Sequence, residues 1–204
     1  MKLQILFAFG LAVLSASFAA SAGEGRQGFV RVEAGRSNLE LDVAGDPLDD
    51  DDTSYGLRGG YFFTRYLAVE GFYMRYGEIS HTIESLGFQT SSRIKFDGYG
   101  VGIVAKKNFG ESDLGFFVDA RLGVTRTKAE LRGRTCSTVT QECETFDGDD
   151  ASTDPYLGVG VGYDFSPFFG VGLNYNRTKG DGELFGDEQD VTLTSLALSM
   201  EYRF

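Results

Sequence analysis

The chain has 204 residues, 28 of them Gly and only 3 Pro, with 14% aromatic residues, no Trp and a formal charge of -11. That length suffices for one domain or one barrel. The acidic balance, with no Lys/Arg cluster, excludes a nucleic-acid-binding surface, which needs bases to neutralise phosphates, and glycine and aromatics without a sustained helical period predict an all-β protein.

The chain opens on an export leader: Lys2 supplies the positive start, Leu3 to Leu14 an apolar run, and Ala20-Ser21-Ala22 a small-x-small cleavage site. The run falls short of the ~20 apolar residues that a spanning helix needs. Residues 1–22 are therefore expected to be a cleavable signal peptide and 23–204 the mature domain. No Cys lies near the cleavage site, so a lipid anchor is not expected.

From Gly28 onward the apolar residues recur at every second position. Strands are predicted near 28–42, 54–63, 67–78, 93–105, 114–128, 156–165, 169–178 and 190–204. The connections alternate: short at 64–66, 106–113 and 166–168, long at 43–53, 79–92, 129–155 and 179–189. Short turns at one rim and long loops at the other are what an up-and-down meander gives.

The strand faces decide what surrounds the sheet. In 114–124 Leu114, Phe116, Val118, Ala120, Leu122 and Val124 alternate with Phe117, Asp119, Arg121 and Gly123. Leu157, Val159, Val161, Tyr163 and Phe165 alternate with Gly158, Gly160 and Gly162, and Phe169, Val171, Leu173 and Tyr175 with Gly170, Gly172, Asn174 and Asn176. Were the apolar face inside, glycine would make up much of the wet surface and Lys and Glu would be common there, yet they are scarce in these strands. The alternative puts the apolar face in lipid and Arg31, Glu33, Arg58, Glu70, Asp119, Arg121, Glu201 and Arg203 in the interior. Those are four bases and four acids, which allows the pairing that charges out of water require, and the glycines leave room for long side chains in a narrow eight-stranded lumen. The expected fold is an all-β, eight-stranded antiparallel up-and-down transmembrane β-barrel.

A barrel in lipid has no free edge, so the last strand must close on the first. "LALSMEYRF", 196–204, has Leu196, Leu198, Met200, Tyr202 and Phe204 on one face; Phe204, with Tyr61, Phe63, Tyr163, Phe165 and Tyr202, is expected in the interfacial girdle at the short-turn rim. Two places break the period. Ile94 and Phe96 are out of phase with Tyr99, Val101 and Ile103, which calls for a bulge near Asp97-Gly98 or a change of environment above the membrane, and Val191 and Leu193 are likewise out of phase with Leu196. Cys136 and Cys143 lie close together in a polar stretch; in an exported protein a local disulfide is expected, worth about 2.5 kcal/mol in the chain-entropy model.

The leader, eight alternating strands, short-turn/long-loop alternation and terminal "MEYRF" resemble the eight-stranded outer-membrane β-barrel family that includes the OmpA transmembrane domain and the OmpX/Ail proteins, over residues 23–204. The resemblance implies that Met200, Tyr202 and Phe204 carry the recognition signal for the outer-membrane assembly machinery. It also implies a Gram-negative outer membrane, periplasmic termini and extracellular loops. The family includes anchors, adhesins and lipid-modifying enzymes; with no room after Phe204 for a peptidoglycan-binding domain, a cell-wall tether is not expected.

Several motifs invite more specific chemistry. "GDPLDDDD", 45–52, gathers Asp46, Asp49, Asp50, Asp51 and Asp52, and "DGDDASTD", 147–154, is similar, but neither has the ordered spacing of a calcium loop; solvated acidic loops are expected, with divalent bridging to lipopolysaccharide a weaker possibility. "SHTIES" offers Ser80, His81, Glu84 and Ser85 to a lipid-modifying site, but nothing in the spacing holds His81 against a nucleophile. "GYGVGIVA", 98–105, and "GVGVG", 158–162, mimic a dinucleotide fingerprint without its helix, so their glycines read as inward strand positions. No catalytic residue, cofactor or metal site is expected. The functional expectation is a monomeric structural or surface-interaction protein whose acidic loops meet a host or surface ligand, with outer-membrane lipid and lipopolysaccharide as its surroundings; a small pore is the alternative, and a lipid-modifying enzyme a more distant one.

Overall fold

The structure, a computed structural model, describes residues 27–43, 46–85, 88–110, 114–137, 143–184 and 187–204; the expected leader lies outside the described residues. Eight strands follow one another: β1 (Gln27–Val43), β2 (Asp46–Phe62), β3 (Leu67–Ser85), β4 (Phe88–Asn108), β5 (Gly115–Ser137), β6 (Cys143–Asp164), β7 (Phe169–Leu184) and β8 (Asp187–Arg203). Each pairs antiparallel with its neighbours, and β8 with β1, in one closed barrel. The two chain ends complete the ring: Gly28 N–H donates to the Phe204 carbonyl and Phe204 N–H to the Gly28 carbonyl, both at 2.9 Å.

The apolar face points outward. Leu157 is 61% exposed, Val101 61% and Leu198 70%, while Asp119, Arg121 and Asn174, on the opposite face, are almost wholly buried. No water-soluble sheet presents so continuous an oily exterior, and in hydrocarbon the closed ladder satisfies every backbone group. Tyr61, Phe63, Tyr163, Phe165, Tyr202 and Phe204 all face outward at the rim of the short turns, with Tyr163, Phe165 and Phe169 in contact along one side and Tyr202 stacked beside Phe204.

The long loops expected at 43–53, 79–92, 129–155 and 179–189 are instead mostly strand. The β5–β6 ladder continues unbroken to the Cys136–Cys143 pair, β7–β8 to Leu184–Asp187 and β1–β2 to Val43–Asp46. The β6 arm is exposed on both faces over 143–151, so no apolar alternation marks it, and its Asp and Gly content disfavours a strand locally. Ladder propagation from the membrane segment carries these extensions, and at the tip of β5–β6 the Cys136–Cys143 disulfide fastens the arms.

The phase break at Ile94 and Phe96 is not a bulge in β4, whose ladder with β5 is regular from Phe88 to Asn108. The bulge lies opposite, in β3, where Arg75 pairs with Asp97 and Gly77 with Phe96, so that Tyr76 is the extra residue. Gly77 has φ +115°, a conformation open to glycine, and the position its Cβ would take is filled by the Asp52 carboxylate, whose Oδ2 accepts the Glu78 N–H at 2.6 Å. The phase changes because the interior changes: Phe96 and Leu193 turn inward, join Phe72, Met74, Tyr76 and Tyr156, and are flanked by Ile94 and Ala129. The side chain of Val191 lies outside the described residues.

Two ladders stop early. β2–β3 runs only from Phe62–Ala68 to Tyr55–Arg75, and β6–β7 from Asp164–Gly170 to Tyr156–Thr178. These seams lie on opposite sides of the ring. Beyond them, among the described residues, the barrel continues as two four-stranded halves, β3–β6 and β7-β8-β1-β2. At the second seam Pro155, with no N–H to donate, stands where the β6–β7 ladder ends.

Candidate functional site: a charged lumen beneath a split rim

Because inward positions recur every second residue on each tilted strand, charges far apart in sequence meet in the lumen. Arg31, Glu33, Arg58, Glu70, Asp119, Arg121, Glu201 and Arg203 are all buried there, with Arg31 and Arg58 only 1% exposed. Lys106 and Asp164 are buried beside them. Sequence reasoning missed both. Lys106 continues the inward series of Gly100, Gly102 and Val104, and Asp164 that of Gly158, Gly160 and Gly162; each was overlooked because its strand was ended, or its polar face stopped, one step too soon.

The ten groups, five bases and five acids, form one chain of alternating sign. Lys106 Nζ reaches Asp164 Oδ2 at 3.1 Å and Glu201 Oε1 at 2.9 Å, and Arg203 contacts the same two carboxylates. Glu201 also accepts from Arg31 Nε at 2.9 Å, and Arg31 reaches on to Asp119 at 3.3 Å. Asp119 pairs with Arg121 at 2.9 Å, Arg121 with Glu33 at 3.4 Å, Glu33 with Arg58 at 3.0 Å and Arg58 with Glu70 at 3.0 Å. Tyr156 Oη ends the series by donating to Glu70 Oε1 at 2.5 Å. Asn174 and Asn176 accept from Arg121 on its other side, and Arg58 lies 4.4 Å over the Phe72 ring, so the charged chain meets the apolar cluster of Phe72, Met74, Tyr76, Phe96, Tyr156 and Leu193 at its far end. A second apolar cluster, Phe29, Phe62, Ala68 and Val104, packs beside the 63–66 turn.

Glycine makes this crowding feasible: a Cβ on Gly160 would lie 2.5 Å from Asn174 Oδ1 and 2.7 Å from Asp119 Oδ1, closer than any side chain tolerates. The lumen is thus a packed, mutually neutralising core.

The other candidates fare differently. Ser80, His81, Glu84 and Ser85 lie on β3, not in a loop, and their side chains are outside the described residues, as are those of Asp46, Asp49, Asp50 and Asp51. Asp52 spends its carboxylate on the backbone at Thr53 and Glu78. In 147–154 Asp150 accepts from the Ala151 N–H and Asp154 from the Ser152 hydroxyl; among the described residues no group of three or more His, Cys, Asp and Glu is placed to hold a metal ion. The third long connection is also not uniformly acidic: its β6 arm carries Glu144, Asp147, Asp149 and Asp150, while its β5 arm carries Lys128, Arg132 and Arg134 beside a single acid, Glu130, which lies 3.7 Å from Arg132; Arg132 is directly across from Asp147.

This barrel is of the outer-membrane class, and comparison with known proteins agrees. The family model for the outer membrane protein β-barrel domain matches residues 8–204; the chain belongs to that family. A search of curated proteins finds no match. Among solved structures, Ail, the attachment invasion locus protein of Yersinia pestis, is 18% identical over 87% of this chain and 99% of its own, with a TM-score of 0.52, and another Ail structure holds the heparin analogue sucrose octasulfate. The N-terminal β-barrel domain of Pseudomonas aeruginosa OprF is 15% identical over 88% and 99%, TM-score 0.51. Neisserial surface protein A is 16% identical over 89% and 100%, TM-score 0.50. At these identities the likeness is one of fold.

Proposed function

We propose that this outer-membrane barrel acts as a cell-surface interaction protein: a closed, rigid stem that presents four long hairpins outside the cell, with both termini in the periplasm. The carrying observation is the lumen. Ten charges paired in series, capped by an apolar layer, leave the interior no wet path, so the chemistry free to meet another molecule is on the hairpins. The first carries Asp46 and Asp49 to Asp52, and the third sets an acidic arm against a basic one. Ail in complex with a heparin analogue is one barrel of this shape with a ligand; the charges here favour a different, more basic partner surface. Met200, Tyr202 and Phe204, exposed on the outer face of β8, fit the role of assembly signal.

The test has two arms. In planar bilayers the purified barrel is expected to show no reproducible single-channel steps; large, regular steps would make it a pore. On cells, replacing residues 130–150 with a short Gly-Ser turn, which removes Glu144, Asp147, Asp149 and Asp150 together, is expected to leave the barrel heat-modifiable on gels while abolishing capture of basic surface ligands; Ala129, packed against the apolar cluster, and buried Asp154 are kept. Unchanged capture would move the role to another hairpin or remove it.

A further inference from the structure

Each odd-numbered strand ends its lipid-facing run in the same way. On β1 the outward residues Val32 and Ala34 are followed by Arg36, on β3 Val69, Gly71 and Tyr73 by Arg75, on β5 Leu122 and Val124 by Arg126, and on β7 Leu173 and Tyr175 by Arg177. The residues flanking each arginine, such as Ser37, Tyr76, Thr125 and Asn176, turn into the lumen and are buried, so all four arginines are on the outer wall. The register puts them at one level: Arg36 is across from Thr53, Arg75 from Asp97, Arg126 from Thr153 and Arg177 from Thr194. On the even strands the next outward residue toward the short turns is Tyr55, Tyr99, Pro155 or Leu196. Tyr55, Tyr73, Tyr99 and Tyr175 mark this level as the water–hydrocarbon boundary at the long-hairpin rim.

In a chain with 30 acids and 19 bases, four arginines and one aspartate, Asp97, at this boundary are not a consequence of composition. Asp97 is engaged by the Tyr73 hydroxyl at 2.8 Å, and Arg75 lies 5.8 Å over the Tyr55 ring. The opposite boundary is different: it is aromatic, and among the described residues its exposed bases Arg65 and Lys107 both sit over Tyr66 on one side of the barrel. Guanidinium forks at the edge of a low-dielectric layer are suited to phosphate oxygens, which they bind in bidentate fashion. Alternate strands place neighbouring arginines roughly 10 Å apart across the ladder, beyond the reach of one phosphate and within reach of a headgroup that carries two.

We propose that Arg36, Arg75, Arg126 and Arg177 form a collar that binds the phosphates of a bisphosphorylated glycolipid in the leaflet around the long hairpins, with the threonine hydroxyls of the paired strands beside them. This rests on the outer-membrane assignment but not on what the hairpins bind or on whether the lumen conducts.

The test is a titration of the purified, folded barrel in phosphatidylcholine nanodiscs with bisphosphoryl lipid A, monophosphoryl lipid A and phosphatidylglycerol, read by native mass spectrometry. Bisphosphoryl lipid A is expected to bind about tenfold or more tighter than the other two, and the Arg36→Gln/Arg75→Gln/Arg126→Gln/Arg177→Gln variant to lose about tenfold of that affinity. Arg65→Gln/Lys107→Gln, at the other rim, should bind as the unaltered chain does. Equal binding by all three lipids, or by the collar variant, would overturn the collar. If the fourfold variant does not fold, Arg126→Gln and Arg177→Gln, both exposed, each weaken binding about threefold on this account; no change in either overturns it equally. Because lipid counting involves neither hairpin ligands nor conductance, the outcome is independent of the surface-interaction assay.

Discussion

Replacing Glu201 with alanine is expected to lower the stability of the barrel by about 3–5 kcal/mol, the cost of leaving buried charge unpaired. Glu201 is the junction of the lumen chain, in contact with Arg31, Lys106 and Arg203, so its removal leaves a cluster of buried cations with Asp164 and Asp119 as their remaining carboxylates. Urea unfolding in lipid vesicles, followed by circular dichroism and by gel mobility, measures the loss. Adding Arg203→Ala should recover part of it, because the two groups share one network and their effects are not additive. A double variant that is worse by the sum of the singles would show that the pairs act separately.

The second large effect is on the outer wall. Val159→Arg, midway along the lipid-facing run from Leu157 to Val161, is expected to cost about 2–4 kcal/mol, whereas Thr153→Arg, above that run and beside Arg126, costs about 0–1 kcal/mol. The contrast is the signature of hydrocarbon, because a residue on a wet surface would tolerate arginine equally at both heights. Val159→Ala removes a little packing and no more, which separates the cost of the charge from that of the missing side chain. The same unfolding assay reads all three.

The membrane-spanning part of this fold was legible because lipid imposes a pattern on every strand at once: Leu157, Val159 and Val161 must face out, and Gly158, Gly160 and Gly162 must leave room for Asp119 and Asn174 on the strands beside them. Legibility failed where that constraint ends. Residues 143–151 face water on both sides, so nothing in their order separates a strand from a loop, and only the ladder with β5 and the Cys136–Cys143 bond hold them extended. The interior changes character along its axis, so a rule that expects polar residues inside misreads Phe96 and Leu193, which belong to the apolar cap. The phase break in β4 marks that change of interior and no bulge, whereas the bulge that does exist, at Tyr76 in β3, leaves no break in the apolar period of β4. Lys106 and Asp164 show the reverse: the alternation that placed Arg121 inside also reaches them, and following it to the last turn of each strand completes the equality of charge in the lumen. The hairpin functions were the least legible, because recognition by exposed polar residues imposes no period.

The most direct measurement uses the absence of tryptophan from the chain. Single tryptophans at Leu122, Val159 and Leu198, each in the folded barrel in vesicles, report their surroundings without background. Contact with hydrocarbon predicts blue-shifted emission, strong quenching by lipids brominated on their acyl chains, and indifference to acrylamide in the water. Blue-shifted emission untouched by brominated lipid would place these side chains around a central core, and quenching by acrylamide would place them in water; either result contradicts a barrel whose oily face is its outside.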